Sequence, residues 1–215
     1  MKPTVLLLHG LARTHRSLDR IKQDLARAGY PTWSKSYPSR KAPITVLADE
    51  IAGEVEQDLP DTPLVAVTHS MGGIISRHIA ERLALKTILM LAPPNQGSSA
   101  ARALKGNPLF HRIYGPALSN IQHPNNWPLP ACPVAVIAGT RGPSLGTPHS
   151  LLLHAMGVFG QMSRHDGVIT VEEARLTVMA DFATVNASHT WIMNHHDTRR
   201  MVLNYLNHGA FERPQ

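Results

Sequence analysis

Short, continuous runs of apolar residues alternate along the chain with stretches in which apolar residues recur every three or four positions. The runs lie at Thr4 to Leu8, Leu64 to Thr68, Thr87 to Leu91 and Pro133 to Ala138. Runs that end at or near His, Gly or Pro are typical of strands buried on both faces of a parallel sheet. We predict two further strands, at Leu176 to Met179 and at Thr32 to Ser36.

The stretches between the runs predict amphipathic helices. The first begins after Ser17, a candidate N-cap, and ends at Gly29, while the second opens at Pro43. A third helix follows directly after the run that ends at Thr68, and a last one begins near Asp197. Strands that alternate with such helices predict an α/β fold with a mostly parallel central sheet and helices on both faces. Ligands of such folds bind beyond the carboxyl ends of the strands.

The chain of 215 residues, 43% hydrophobic, is long enough for one domain over residues 1–215. Two long connections, Pro93 to Pro130 and Thr140 to Arg164, do not fit the alternation, and long connections in compact domains are usually lids or binding loops. The alternative is that they form short helices packed on the core. Both carry apolar residues that look exposed: Leu109, Phe110, Ile113, Tyr114, Trp127, Leu151, Leu152, Met156 and Phe159.

Composition narrows the function classes. Charged residues make up 17% of the chain and the formal net charge is +6, but the basic residues are scattered, which argues against a nucleic-acid-binding tail. Cys132 is the single cysteine, so no intramolecular disulfide forms, and we expect a small buried side chain there. The run Val5 to Leu8 is too short for a signal-peptide core or a membrane span, so we expect a cytoplasmic protein without stable membrane insertion.

Ser70 lies where the run ending at Thr68 passes into the third helix, in the sequence Thr68-His69-Ser70-Met71-Gly72. A serine on such a strand-turn-helix is held in a strained conformation that exposes its hydroxyl, as in the G-x-S-x-G elbow. Here Thr68 replaces the first glycine and Gly72 keeps the second. The alternative is an inert serine that caps the helix. For His69 we expect a hydrogen-bonded structural role.

A serine hydroxyl becomes a good nucleophile when a histidine takes its proton and a carboxylate orients that histidine. Asp166 and His189 follow Ser70 in the order serine, acid, histidine, and each comes after a predicted strand. Asp181 and Asp197 are alternative acids, and His195 and His196 are competing histidines; the last two, with Asp197, form a weak candidate metal site.

Acyl transfer also requires donors to the developing oxyanion. His9 and Gly10 close the first predicted strand, where the backbone N–H of Leu11 can turn towards Ser70. The N–H of Met71, at the start of the helix after Ser70, is the second candidate donor.

With these motifs the chain resembles small bacterial α/β-hydrolases of the esterase and lipase kind. The resemblance is carried by His9-Gly10-Leu11, His69-Ser70-Met71-Gly72-Gly73, Pro94-Asn95-Gln96-Gly97-Ser98, Asp166-Gly167-Val168 and Ser188-His189-Thr190. It implies an α/β-hydrolase fold and hydrolysis of carboxylic esters without a cofactor. The same fold also hosts thioesterases, amidases and acyltransferases.

Three hypotheses follow for the function. The first is an esterase that acts on a small-molecule ester with an apolar acyl group, with transient contact to lipid surfaces through a lid. The second is an acyltransferase or thioesterase that uses the same residues. The third is a hydrolase-like protein that binds an apolar ligand without cleaving it.

Overall fold

The computed structural model describes residues 1–106, 115–122, 124, 127–143, 148–160 and 163–212. Within them, six parallel strands form one sheet in the order β2-β1-β3-β4-β5-β6. The strands are β1 Thr4–Leu8, β2 Thr32–Trp33, β3 Leu64–His69, β4 Leu85–Leu91, β5 Val134–Gly139 and β6 Asp181–Val185. The central strands are buried on both faces, as their continuous apolar sequences require.

Helices cover both faces of this sheet. They are α1 Asp19–Arg27, α2 Ile44–Asp58, α3 Met71–Ile79, α4 Ser99–Ala103, α5 Ala117–Asn120, α6 Pro148–Ala155, α7 Val171–Ala174 and α8 His196–His208, with 3-10 turns at His15–Leu18 and Ile192–Asn194. Helices α2 and α3 pack in one core cluster with residues of α4, α5 and α7. The other cluster contains α1 and α8. The predicted α/β architecture is confirmed, and folds of this kind bind ligands beyond the carboxyl ends of the strands.

The four main strand predictions are confirmed, with shifts of one or two residues at the ends. The strand predicted at Leu176 to Met179 is wrong, because the sixth strand is Asp181–Val185. This strand lies at the edge of the sheet, and four of its five residues are only partly buried. An edge strand needs no continuous apolar run, so the hydrophobic pattern pointed to the neighbouring segment instead.

Of three smaller expectations, two change and the start of the last helix holds. Ser17 is not the N-cap of α1: it lies in the preceding 3-10 turn, where its hydroxyl donates to the carbonyl of Thr14 at 2.9 Å. The last helix begins at His196, next to the predicted Asp197, and its N-cap is His195, whose ring accepts from the N–H of Asp197 at 3.3 Å. Cys132 is only partly buried against the core.

The two long connections contain short helices: α4 and α5 in the first, α6 in the second. Their inward residues are buried against the core, Ala101 and Leu118 in the first connection and Leu153 in the second. Leu151, Leu152 and Met156 are exposed, and Trp127 is partly buried. Leu109, Phe110, Ile113 and Tyr114 lie outside the described residues, so the lid stays a prediction.

None of the helices within the described ranges has the length and apolarity that crossing a bilayer requires.

Candidate active site

Ser70 occupies the sharp turn between β3 and α3. Its backbone has φ 53° and ψ −123°, a conformation that non-glycine residues rarely adopt. The turn is held by the N–H of Ser70, which donates to the carbonyl of Leu91 at 2.8 Å, and by the N–H of Gly73, which donates to the carbonyl of Ser70 at 2.9 Å. Strain of this kind persists only where the surrounding structure enforces it, and it clusters at functional sites.

Close packing against β1 explains the small residues around this turn. A Cβ at Gly72 would lie 2.5 Å from the carbonyl oxygen of Leu8, and a Cβ at Gly10 would lie 3.0 Å from the Cβ of Ser70. Thr68, in place of the usual glycine, is fully buried, and its hydroxyl donates to the carbonyl of Leu89 at 3.3 Å. The threonine is thus accommodated without an unsatisfied polar group.

The structure brings Ser70, His189 and Asp166 together in one hydrogen-bonded chain. The Oγ of Ser70 lies 3.0 Å from Nε2 of His189, and Nδ1 of His189 lies 2.8 Å from Oδ2 of Asp166. An ionised carboxylate only accepts, so the proton of the neutral imidazole is on Nδ1. The lone pair of Nε2 therefore faces the Ser70 hydroxyl, which is the arrangement that removes a proton from it.

Asp166 is held rigidly. It is 2% exposed, and its second oxygen, Oδ1, accepts from the backbone N–H groups of Val168 at 2.9 Å and Ile169 at 2.7 Å. The carbonyl of Asp166 in turn accepts from the N–H of His189 at 2.9 Å. A Cβ at Gly139, the last residue of β5, would lie 2.7 Å from the Cβ of Asp166. The absence of a side chain at Gly139 thus lets Asp166 pack directly against the end of β5.

The competing residues lie elsewhere. Asp181 is the first residue of β6, so it lies at the amino ends of the parallel strands, whereas Ser70 lies at their carboxyl ends. Its carboxylate accepts from the N–H groups of Phe182 and Phe211. Asp197 lies in the first turn of α8 within 4.0 Å of His195, His196 and Arg200.

The two candidate oxyanion donors lie on either side of Ser70. Met71 is the first residue of α3, and Leu11 follows Gly10, which packs against the Cβ of Ser70. Neither backbone N–H donates to an acceptor among the residues that the structure describes. The loop that carries Leu11 is fixed by Ala12, which has φ 57° and whose N–H donates to Oγ of Ser39 at 3.0 Å.

His69 contacts the candidate site directly, which its sequence position did not reveal. Its Nε2–H donates to the carbonyl of His189 at 3.0 Å, and the two rings lie 5.0 Å apart. The expectation of a fully hydrogen-bonded residue is only half right, because the buried Nδ1 has no partner among the described residues. Burial, together with the nearby positive charges, lowers the pKa of His69 well below its ordinary value, so the ring is neutral.

His9 anchors the start of the loop that carries Leu11. Its ring stacks on that of Tyr37 at 3.8 Å, its Nδ1–H donates to the carbonyl of Gly10 at 2.9 Å, and its Nε2 accepts from the N–H of Tyr37 at 3.3 Å. The Tyr37 hydroxyl donates to the carbonyl of His9. Burial lowers the pKa of His9 from 6.5 to about 4.

These buried neutral histidines predict that acid destabilises the fold. Above pH 6.5, His9 is neutral in both the folded and the unfolded chain. Below pH 6.5, His9 of the unfolded chain binds a proton, whereas His9 of the folded chain binds one only near pH 4. As the pH is lowered from 6.5 to about 4, the free energy of unfolding, measured with urea, should therefore decrease, by about 3 kcal/mol for His9 alone. This loss of stability should be smaller in His9→Asn than in the wild type, and the same as in the wild type in His208→Gln, a change at the end of α8. Equal losses in the wild type and both variants would contradict the lowered pKa of His9.

A cavity of about 570 Å³ opens at Ser70 and His189, within the range of small-molecule sites. Much of its wall is apolar, with Ala100, Ala101, Leu104, Leu118, Ile121, Leu153 and Val168. The cavity also has polar and charged lining residues, Arg13, Thr14, Arg16, Ser17 and Thr190. Sequence reasoning missed Arg13, because nothing in the local pattern shows where its side chain lies.

Comparison with solved structures identifies the fold. The chain is similar to the mature lipase BlEst2 of Bacillus licheniformis, with a TM-score of 0.74 and 20% identity over 95% of this chain and 92% of that one. It is also similar to the phospholipase PlaB of Legionella pneumophila, with a TM-score of 0.75 and 17% identity over 94% of this chain and 59% of that one.

A third similar structure is the type II thioesterase YbtT, with a TM-score of 0.57 and 15% identity over 96% of this chain and 92% of that one. No protein-family model and no curated protein sequence matches the chain significantly. The protein has the α/β-hydrolase fold.

Proposed function

We propose that the protein is a serine hydrolase that cleaves carboxylic esters through an acyl-enzyme. The observation that carries the proposal is the hydrogen-bonded chain from Ser70 through His189 to Asp166, with its serine in a strained turn at the mouth of a cavity. The neighbours named as a lipase, a phospholipase and a thioesterase support acyl transfer as the reaction class.

In the first half-reaction, Oγ of Ser70 attacks the ester carbonyl carbon while Nε2 of His189 takes the hydroxyl proton. The carbonyl oxygen gains the negative charge, and the N–H groups of Leu11 and Met71 donate to it. Asp166 stays ionised and stabilises the imidazolium. When the intermediate collapses, the bond to the alcohol oxygen breaks, and His189 gives its proton to that oxygen. The acyl group is then bound to Ser70.

In the second half-reaction, water replaces the alcohol. His189 takes a proton from the water as its oxygen attacks the acyl carbon, and the same two N–H groups stabilise the oxyanion. Collapse breaks the bond to Oγ of Ser70, which recovers a proton from His189, and the carboxylic acid leaves. No cofactor takes part in this sequence. The apolar wall of the cavity suits an apolar acyl group, because its burial there is favourable.

A fluorophosphonate probe tests whether Ser70 is reactive. We expect covalent labelling of the wild-type protein, with peptide mapping placing the label on Ser70, and loss of labelling after urea unfolding. A parallel panel of p-nitrophenyl esters and acyl thioesters, each at several acyl lengths, should show turnover of the esters. No labelling together with thermal stabilisation by the same acyl compounds would favour the alternative of a binding protein. Turnover confined to thioesters would favour a thioesterase. Transfer of the acyl group to added alcohols would favour an acyltransferase.

A further inference from the structure

One cation in the cavity wall, Arg13, has no carboxylate partner among the described residues. Arg13 is half-buried beside Ser70 and His189, and its only hydrogen bond within the described residues is from Nη2 to the carbonyl of Thr190, at 3.0 Å. It forms no ion pair with a described carboxylate, and the residues outside the described ranges include no Asp or Glu. Burial lowers the pKa of Arg13, but a guanidinium remains protonated at neutral pH.

Other arginines of the chain show what a satisfied guanidinium looks like here. Arg199 forms a two-bond ion pair with Asp24, at 2.6 and 3.0 Å. Arg77 is more deeply buried and has no ion pair with a described carboxylate, but it donates to three protein oxygens, the carbonyls of Trp127 and Pro128 and the side chain of Asn95. Arg13 has one such acceptor, so most of its N–H groups remain available to a ligand.

Leaving a partly buried guanidinium with a single acceptor costs free energy, because desolvation is not compensated. An oxyanion in the cavity would supply both the opposite charge and paired acceptors, for which the planar guanidinium is well suited. Arg16 lines the same wall and adds a second positive charge. The net charge of +6 favours the approach of an anion as well.

The position of Arg13 indicates which part of the substrate carries the anion. Its guanidinium is bonded to Thr190, the residue after His189, so it lies on the histidine side of Ser70. In the proposed mechanism His189 protonates the leaving alcohol, so the alcohol portion must also lie on this side. The apolar residues Leu104, Leu118 and Ile121 also line the cavity, and an acyl chain can be buried against them.

We infer that the preferred substrates are esters with an apolar acyl group and an alcohol portion that carries an oxyanion, a phosphate or a carboxylate, which Arg13 binds. This inference rests on the proposed ester hydrolysis. It assigns Arg13 as a specificity-determining residue and Arg16 as a weaker, exposed contributor.

Four octanoyl esters test it: octanoylglycerol phosphate, octanoyl lactate, monooctanoylglycerol and octanoylcholine. For the wild-type protein we expect kcat/KM for one or both anionic esters to exceed that for the neutral ester by about 10-fold or more, with the cationic ester poorest. The phosphate and lactate arms decide between the two anions.

Variants then assign the preference to the side chain. Arg13→Gln should lower the anionic-to-neutral ratio of kcat/KM by about 10-fold, and Arg13→Lys should restore part of it. Arg20→Gln, which removes an exposed charge from α1, is the matched control and should leave the ratio unchanged. Equal rates for neutral and anionic esters in the wild type, or an equal loss on all four esters in Arg13→Gln, would overturn the inference.

A binding measurement separates this inference from the proposed chemistry. In Ser70→Ala, calorimetry should show tighter binding of octanoylglycerol phosphate than of monooctanoylglycerol, and the difference should shrink in Ser70→Ala/Arg13→Gln. If none of the esters is hydrolysed but this binding difference holds, the proposed function fails while the anion site stands. If the neutral ester is hydrolysed and the binding difference is absent, the anion site fails alone.

Discussion

Replacement of Ser70 by alanine should lower kcat for p-nitrophenyl ester hydrolysis by about a million-fold. The change removes only Oγ, the atom 3.0 Å from Nε2 of His189, and keeps the Cβ that packs near Gly10. The fold should therefore survive, and circular dichroism and urea unfolding will check that it does. Without Oγ no acyl-enzyme forms, and residual turnover would come only from binding and the oxyanion donors.

The matched control is Ser119→Ala, which removes an exposed hydroxyl from the short helix α5. It should retain wild-type rates within about two-fold, because the Ser119 side chain is exposed and does not line the cavity, unlike its neighbour Leu118. Wild-type turnover in Ser70→Ala would show that another group performs the chemistry, and the proposed mechanism would have to be abandoned.

Replacement of Asp166 by asparagine should lower kcat by about 10,000-fold while the fold is kept. The reason lies in the two N–H groups, of Val168 and Ile169, that donate to Oδ1. They require an acceptor there, so the asparagine carbonyl takes that position and its NH₂ group faces Nδ1 of His189. The histidine must then accept at Nδ1 and carry its proton on Nε2. An imidazole in this form cannot take the proton of Ser70.

Asp197→Asn is the control for this variant, because the sequence offered Asp197 as an alternative to Asp166 for the carboxylate that orients the histidine. It should change kcat little, since its carboxylate contacts His195, His196 and Arg200, none of which lines the cavity. Labelling of Asp166→Asn by the fluorophosphonate probe should be slowed in proportion to kcat. If Asp197→Asn were the variant that lost activity, the assignment of the acid would be wrong.

The buried strands were predictable because a strand covered on both faces needs apolar residues at every position. Thr4–Leu8 and Val134–Gly139 meet that condition, and the sequence pattern placed both within a residue. Asp181–Val185 does not, because an edge strand is stabilised by pairing on one side and tolerates partly exposed residues. Its position is decided by hydrogen bonding to β5, which no local pattern records.

For the candidate site, sequence order and local motifs named Ser70, Asp166 and His189, and the structure places these three side chains in hydrogen-bonding contact. Sequence reasoning assigned no chemistry to His69 and overlooked Arg13. Both side chains bond residues more than a hundred positions away: His69 donates to the carbonyl of His189, and Arg13 to that of Thr190. Side-chain direction over such separations depends on packing between elements.

The amino-acid sequence by itself determined the elements that are local: the apolar strands, the helix faces and the tight passage around Ser70, where Gly72 leaves room for the β1 backbone. Tertiary structure alone decided what meets at the strand ends. The parallel order of the sheet brings the carboxyl ends of β1, β3, β5 and β6 to one edge. Distant loops therefore share one cavity, which is lined by His189 and by the Arg13 guanidinium, for which the described residues supply no carboxylate.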